Sequence, residues 1–210
     1  MENKKSLEDK KNRIANILHK IDAIKFGVYK LSTGKASPYY VDLRVVPSFP
    51  DAFREICDFY TETITNKIGL KNFDRIAAVP ITGIPFASQV AYNLKKPLLY
   101  VRKGVKLHGR ERRVEGVLFS GDRVLLVDDL VSTGVTLKHA AEAIRAEGGI
   151  VEQAVAFLDR EEGGREKLAK NGIQLHTLLK ISEVAKTLYE IGALDEESLK
   201  TITKQIKKQK

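Results

Sequence analysis

Cysteine is nearly absent: Cys57 is the single thiol in 210 residues. One thiol closes no internal disulfide and offers none of the paired spacings of a structural zinc site, so a reducing, cytoplasmic setting is the simple reading. No apolar run is long enough to span a membrane as a helix. The first residues mix Lys and Arg with Glu2, Glu8 and Asp9 and lead into no apolar core, against a transit or signal peptide. No GxxxxGK[ST] loop and no GxGxxG after a strand occurs, which removes the usual signatures of nucleotide hydrolysis and dinucleotide binding. Acids are in the minority, 27 against 36 Lys and Arg, for a net charge of +9. Such a surplus suits nucleic acid, a membrane surface or small polyanionic substrates, and its location discriminates among them. Lys204, Lys207, Lys208 and Lys210 crowd the C-terminus as a solvated helix end or tail. The other basic stretch, Arg102 to Arg113, lies inside the chain. The length fits one well-buried α/β domain with a small appendage.

What is present centres on Arg123 to Leu137. Val124 to Val127 is a short apolar run, expected as a strand covered on both faces that stops at Asp128 and Asp129. Two carboxylates there need a crevice holding hydroxyls, water or a cation. Ser132-Thr133-Gly134-Val135-Thr136 then supplies hydroxyls and one permissive backbone before a helix over Leu137 to Glu147. Free N–H groups and the dipole at a helix start suit phosphate. Acids beside an anion site point to a ligand with phosphate at one end and hydroxyls at the other, such as a sugar phosphate.

The rest of the chain has α/β periodicity. Ile14, Ile17, Leu18, Ile21 and Ile24 predict an amphipathic helix over Leu7 to Ile24, with His19 structural or exposed. Phe26 to Arg44 carries turn chemistry at Ser32 to Lys35 between β-prone flanks and predicts a hairpin or small sheet. Its aromatics and cations suit either packing or a planar anionic ligand. Pro47 and Pro50 precede a helix over Asp51 to Ile68, with Cys57 on the apolar stripe as a packing residue. Strands at Arg75 to Val79, Leu98 to Val101, Val124 to Val127, Ile150 to Leu158 and Gln174 to Leu179 alternate with helices, which implies a parallel sheet with its site at the strand carboxyl ends. Thr82-Gly83, Arg102-Lys103, Asp128-Asp129 and Asp159-Arg160 are expected to converge there. Arg102 to Gly116 has seven basic residues, His108 included, and is expected as a mobile loop closing over an anion. Ser132 or Thr133 as nucleophile is possible, but no histidine is placed in sequence to suggest a base. A phosphoreceiver domain would need more chain after its acid pair.

Val124 to Thr136 resembles the phosphoribosyl-diphosphate-binding signature of the type I phosphoribosyltransferases. Three further stretches, LSTGKASPYYVDLR, RKGVKLHG and LDREEGG, are together similar to those of the orotate phosphoribosyltransferases, and the similarity runs from about Phe26 to Leu188. The resemblance implies a parallel central sheet flanked by helices, with a hood and N-terminal helix over residues 1–48 and the catalytic core, including the C-terminal helices, over 49–210. It implies magnesium-dependent transfer of phosphoribose from phosphoribosyl diphosphate to orotate, with no nucleic acid or membrane partner. Asp128 and Asp129 would contact the ribose hydroxyls, with magnesium held mainly by substrate, and Ser132, Thr133, Gly134, Val135 and Thr136 would hold the 5′-phosphate. Arg102, Lys103, Lys106 and His108 match diphosphate and loop positions, with Lys106 and His108 counted as catalytic beside the two acids. Tyr39, Tyr40, Ser132 and Arg160 match positions around the pyrimidine. The family's loop reaches into a neighbouring subunit, implying a homodimer. Thr82 and Ser32 stand where many members carry lysine. A phosphoribosyltransferase for another base, or a regulator that senses the sugar phosphate and binds nucleic acid, is the competing reading.

Overall fold

The computed structural model describes residues 2–30, 34, 36–102 and 113–209. Two compact units are formed. The first contains residues 1–56, 160–162 and 179–210, and the second residues 57–159 and 163–178.

In the first unit, helix α1 (Glu2–Lys20) packs on α6 (Ile181–Glu190), and its Ile14 and Leu18 are fully buried. Lys11 pairs with Glu183 at 2.8 Å, and the Thr187 hydroxyl donates to Asn12 at 2.7 Å. The predicted helix ends four residues early, because Ile24 opens strand β1 (Ile24–Lys30). β1 pairs antiparallel with β2 (Ala36–Val41), the expected hairpin. A 3-10 turn over Leu43–Ser48 follows. Pro50 then begins α2 (Pro50–Thr63) at a position where its missing N–H is harmless. α2 continues through a π turn over Ile64–Ile68 to Gly69, so the predicted extent holds. Helix α7 (Glu196–Gln209) packs on α6 and β2, with Lys204, Lys207 and Lys208 exposed. The terminal helices, grouped above with the core, thus cluster with the N-terminal segment.

The second unit is a six-stranded sheet. Its strands are β3 (Arg75–Ala78), β4 (Leu98–Val101), β5 (Val114–Glu115), β6 (Arg123–Val131), β7 (Ile150–Asp159) and β8 (Gln174–Lys180), in the order β5-β4-β3-β6-β7-β8. β3 pairs parallel with β4 and β6, and β6 parallel with β7, while β5 is an antiparallel edge. β5 is the one strand that periodicity does not announce, since two residues carry no pattern and their pairing with β4 is set from a distance. Helices α3 (Gly83–Leu94), α4 (Val135–Ala146) and α5 (Gly164–Ala169) connect the strands. Alternate residues of β6 face opposite layers. Val124 and Leu126 join Leu137, Ala141 and Ile144 of α4 in one cluster with Ala77, Val79, Leu99 and Val101. Each such Val, Leu or Ile contributes about 1.5–3 kcal/mol by leaving water. Tyr60, Phe86 and Phe157 form an aromatic wedge, all fully buried. No helix among the described residues is long and apolar enough to cross a membrane.

Candidate functional site

β6 does not stop at the acids. It runs on to Val131, because β7 accompanies it as far as the Val131–Asp159 pair, whereas its pairing with β3 ends at Val127. Asp128 and Asp129 therefore lie within the strand, 6% and 9% exposed, beyond the end of β3. The Asp128 Oδ1 accepts the Asp129 N–H at 3.0 Å. Gly83, first residue of α3, backs onto this pair: a Cβ there would stand 2.9 Å from Asp128 Oδ1 and 3.2 Å from the Val127 carbonyl. Glycine is thus required by space, a role that turn chemistry alone did not disclose. The Pro80–Ile81 peptide before it is cis, and Thr82 precedes the helix without capping it through its side chain.

From Val131 the chain turns through Ser132 and Thr133 to Gly134, at φ 73°, and enters α4 two residues earlier than predicted. No side chain caps this start, and the first helical bond is from Lys138 N–H to Gly134. Thr133, Val135 and Thr136 are exposed there. Uncapped N–H groups beside accessible hydroxyls have the chemistry to hold an anion. Gly164 supports this turn from behind. A Cβ at Gly164 would lie 2.5 Å from the Ser132 carbonyl and 3.1 Å from Gly134 N.

Arg102 follows β4. Its main-chain N–H donates to the Arg113 carbonyl at 2.8 Å, and its Nη1 pairs with Glu115 at 3.0 Å. Glu147, just past α4, accepts the N–H groups of both Arg113 and Val114 at 3.1 Å. The end of the stretch expected as loop is therefore strand β5 and its anchors. Lys103, Lys106 and His108, like Ser32, lie outside the described residues. A cavity of about 280 Å³ opens beside these anchors, lined by Arg102, Arg113, Thr136 and His139 over Val79, Pro80, Val101 and Ala140. Arg113 Nε is sealed from solvent without a hydrogen-bond partner among the described residues. His139 was missed from sequence, although it follows Thr136 by three residues and so shares its helix face.

Tyr39 and Arg160 are brought together within the first unit. The guanidinium lies 5.2 Å from the Tyr39 ring centroid, and Nε donates to the hydroxyl at 3.4 Å. Tyr39 is 1% exposed, and burial raises its phenol pKa while Arg160 opposes the rise. Arg160 Nη2 also meets Glu162 Oε1 at 2.8 Å, an ion pair outside hydrogen-bonding geometry. Glu161, at φ 58°, reverses the chain between them, and its carboxylate accepts the Ser182 N–H at 3.1 Å. Glu162 carried no sequence signal beyond its alternate spacing from Arg160. Tyr40, the next residue on β2, faces the other way: it is exposed, lies 5.6 Å from the Tyr29 ring and accepts from Arg44 at 3.1 Å. Cys57 is buried, its thiol pushed up to about 12 by burial, as a packing residue requires.

Tyr60 shares the apolar stripe of α2 with Ile56 and Ile64, and helical spacing accounts for its ring alone. Its hydroxyl in fact donates to the Asp128 carbonyl at 2.5 Å. Burial first, and then the charges of Asp129 and Asp128, hold its pKa well above the usual phenol value, so it remains a donor.

Residues 50–185 match the model of the phosphoribosyl transferase domain. Orotate phosphoribosyltransferase of Cenarchaeum symbiosum (strain A) is 42% identical over 177 residues, covering 84% of this chain and 88% of its own. That of Staphylothermus marinus is 41% identical over 194 residues, or 92% and 93%. The crystal structure of orotate phosphoribosyltransferase from Aeropyrum pernix matches with a TM-score of 0.76 at 31% identity, over 87% of this chain and 99% of that one. The mostly parallel sheet flanked by helices is the type I phosphoribosyltransferase fold expected from the sequence. On these relationships the chain belongs to the orotate phosphoribosyltransferase family.

Proposed function

We propose that the protein transfers the 5-phosphoribosyl group from phosphoribosyl diphosphate to orotate, giving orotidine 5′-phosphate and pyrophosphate in de novo pyrimidine (UMP) synthesis. The observation that carries this reading is the run from Asp128 to Thr136: two buried carboxylates, a hydroxyl-bearing turn and an uncapped helix start, in the order a ribose 5-phosphate requires. Asp128 and Asp129 accept from the ribose hydroxyls, and Ser132 to Thr136 grip the 5′-phosphate. For the acceptor, Arg160 held over Tyr39 offers a guanidinium to the orotate carboxylate, an arrangement suited to planar anions. Ser132 and Tyr40 join the proposed acceptor set by family resemblance alone.

Bond breaking at the anomeric carbon sends an electron pair to the departing diphosphate and leaves positive charge on the ribose, which the pyrimidine ring nitrogen then attacks. Carboxylates near the ribose and cations near the diphosphate stabilise the two ends of that transition state. Arg102 is the described cation for the second task, with Lys103, Lys106 and His108 joining it by family resemblance. Among the described residues no group of three His, Cys, Asp or Glu could cage a metal. Adjacent carboxylates at Asp128 and Asp129 nevertheless fit magnesium, which takes one or two carboxylates and fills its shell with water and substrate phosphates. When bound, that ion supplies charge neutralisation to the diphosphate. The proposed assembly is a homodimer with the 102–116 stretch shared between subunits, in a reducing, cytoplasmic compartment where Cys57 stays a thiol.

The test is pyrophosphate release in the presence of magnesium with orotate, uracil, hypoxanthine or adenine as acceptor. Turnover with orotate is expected. No turnover with orotate alongside clear turnover with another base sinks the assignment.

A further inference from the structure

The Tyr60 ring packs between Phe86 and Phe157, with centroids 6.2 and 6.1 Å away, and is fully buried. A phenylalanine would fill that wedge equally well, so packing does not account for the hydroxyl. The hydroxyl donates to the Asp128 carbonyl at 2.5 Å, which belongs to the peptide joining Asp128 to Asp129, and it also has a backbone hydrogen bond with Phe157 of β7. This peptide lies where the sheet changes. The last link from β3 is the Val79 N–H to the Val127 carbonyl at 3.2 Å, after which the chain departs into α3. β7 continues on the other side. The Asp128–Asp129 peptide is shared by the two residues, so its tilt sets the direction of both carboxylates. Gly83 at one side and the Asp129 N–H at the other already confine Asp128 Oδ1.

We propose that Tyr60 is a positioning residue for the Asp128–Asp129 pair: from helix α2 its hydroxyl donates to the Asp128 carbonyl, on the side of the strand that faces β7, and so fixes the peptide from which both carboxylates project. The inference rests on the reading of those acids as ligands of phosphoribosyl diphosphate. Preorganisation of this kind sharpens binding because the carboxylates need no reordering when the ribose arrives.

Tyr60→Phe removes one oxygen and keeps the wedge. Affinity for phosphoribosyl diphosphate with magnesium, read by calorimetry without any acceptor base, is expected to weaken about tenfold. Turnover falls with it, while the KM for orotate stays within about twofold. In an Asp129→Asn background the same substitution is expected to cost less than about threefold, because the group it orients is already lost. Phe86→Leu, which loosens the wedge and keeps the Tyr60 hydroxyl, retains wild-type donor affinity. Unchanged donor affinity in Tyr60→Phe, or the full loss persisting in Asp129→Asn, overturns the proposal. Tyr60→Met is the second variant and carries the same expectation; failure of both to fold assigns Tyr60 to the core and also overturns it. A wild-type protein that binds the donor but leaves orotate unreacted sinks the proposed acceptor instead, with the donor measurement intact.

Discussion

Replacing Gly164 by alanine tests whether the phosphate cradle is spaced by its backing helix. The added Cβ would sit 2.5 Å from the Ser132 carbonyl, 2.8 Å from Val131 Cγ2 and 3.1 Å from Gly134 N. Two of these three atoms are backbone, so no rotamer change relieves them. Restoring ordinary contact moves the Ser132 carbonyl or α5 by somewhat under ~1 Å, and overpacking of that kind costs about 1–3 kcal/mol. At about 2–4 °C per kcal/mol for a chain of this size, melting falls by roughly 2–12 °C. Because the displaced atoms belong to the turn proposed to hold the 5′-phosphate, kcat/KM for phosphoribosyl diphosphate is expected to drop on the order of 10²-fold, the scale of an ångström misplacement. Steady-state kinetics with the donor varied, beside a melting curve, separate the two effects. Gly163→Ala is the internal control. Its φ of 82° is unfavourable for alanine, yet a Cβ there meets nothing within 4 Å. It is expected to lower stability by about 1–2 kcal/mol and leave donor kinetics alone. A Gly164→Ala protein with ordinary donor kinetics would refute the spacing argument, whatever its melting temperature.

Arg160→Ala should raise the KM for orotate by roughly 10–100-fold, the loss of a charge-assisted contact, with the donor KM unmoved; an equal rise in both would deny it a role in acceptor choice. Lys106→Ala is expected to reduce turnover on the order of 10²–10³-fold at unchanged melting temperature, and normal turnover would remove this residue from the mechanism. Asp74 receives the Arg123 N–H and guanidinium at 2.9–3.1 Å, which hold its pKa at about 2. Its folded pKa lies below the unfolded value, so the unfolded chain takes up the extra proton and the pair's contribution, intact above about pH 4, is lost as pH falls towards 2. Urea midpoints of Asp74→Asn should therefore show less decline than wild type across that window; parallel curves contradict the assignment. Cys57 should resist an aromatic disulfide reagent at pH 8 in the folded protein and react fully in denaturant, because its thiol is pushed up to about 12. Rapid labelling of native protein would place it nearer the surface than described.

Much of the architecture was legible because burial leaves a periodic trace. Ile14 and Leu18 announced α1 by their spacing, and Val124 to Val127 announced β6 by unbroken apolarity. The end of β6 was misplaced for a physical reason: whether Asp128 and Asp129 continue a strand depends on how far β7 runs beside them, which their own chemistry does not encode. Tyr60 illustrates a second limit. Its ring satisfies the helical stripe, while its hydroxyl acts on a residue 68 positions away, and periodicity registers only the ring. The Tyr39–Tyr40 pair, adjacent in sequence, was grouped as one feature, although strand alternation sends the two rings to opposite faces. Arg160 was recognisable as a site candidate; Glu162 was not, since its partner is defined by the reversal at Glu161 rather than by a motif.

The anchors at Arg102, Arg113 and Glu115 have an evolutionary consequence. Main-chain pairing of Arg102 with Arg113, the Arg102–Glu115 ion pair and the double acceptor Glu147 fix both roots of residues 103–112 from outside that segment. Insertions, deletions or changes of charge between the roots leave the register of β4 and β5 untouched. Selection can therefore rewrite this basic stretch of the chain at little expense to folding, provided that Glu147, at the far end of α4, is kept.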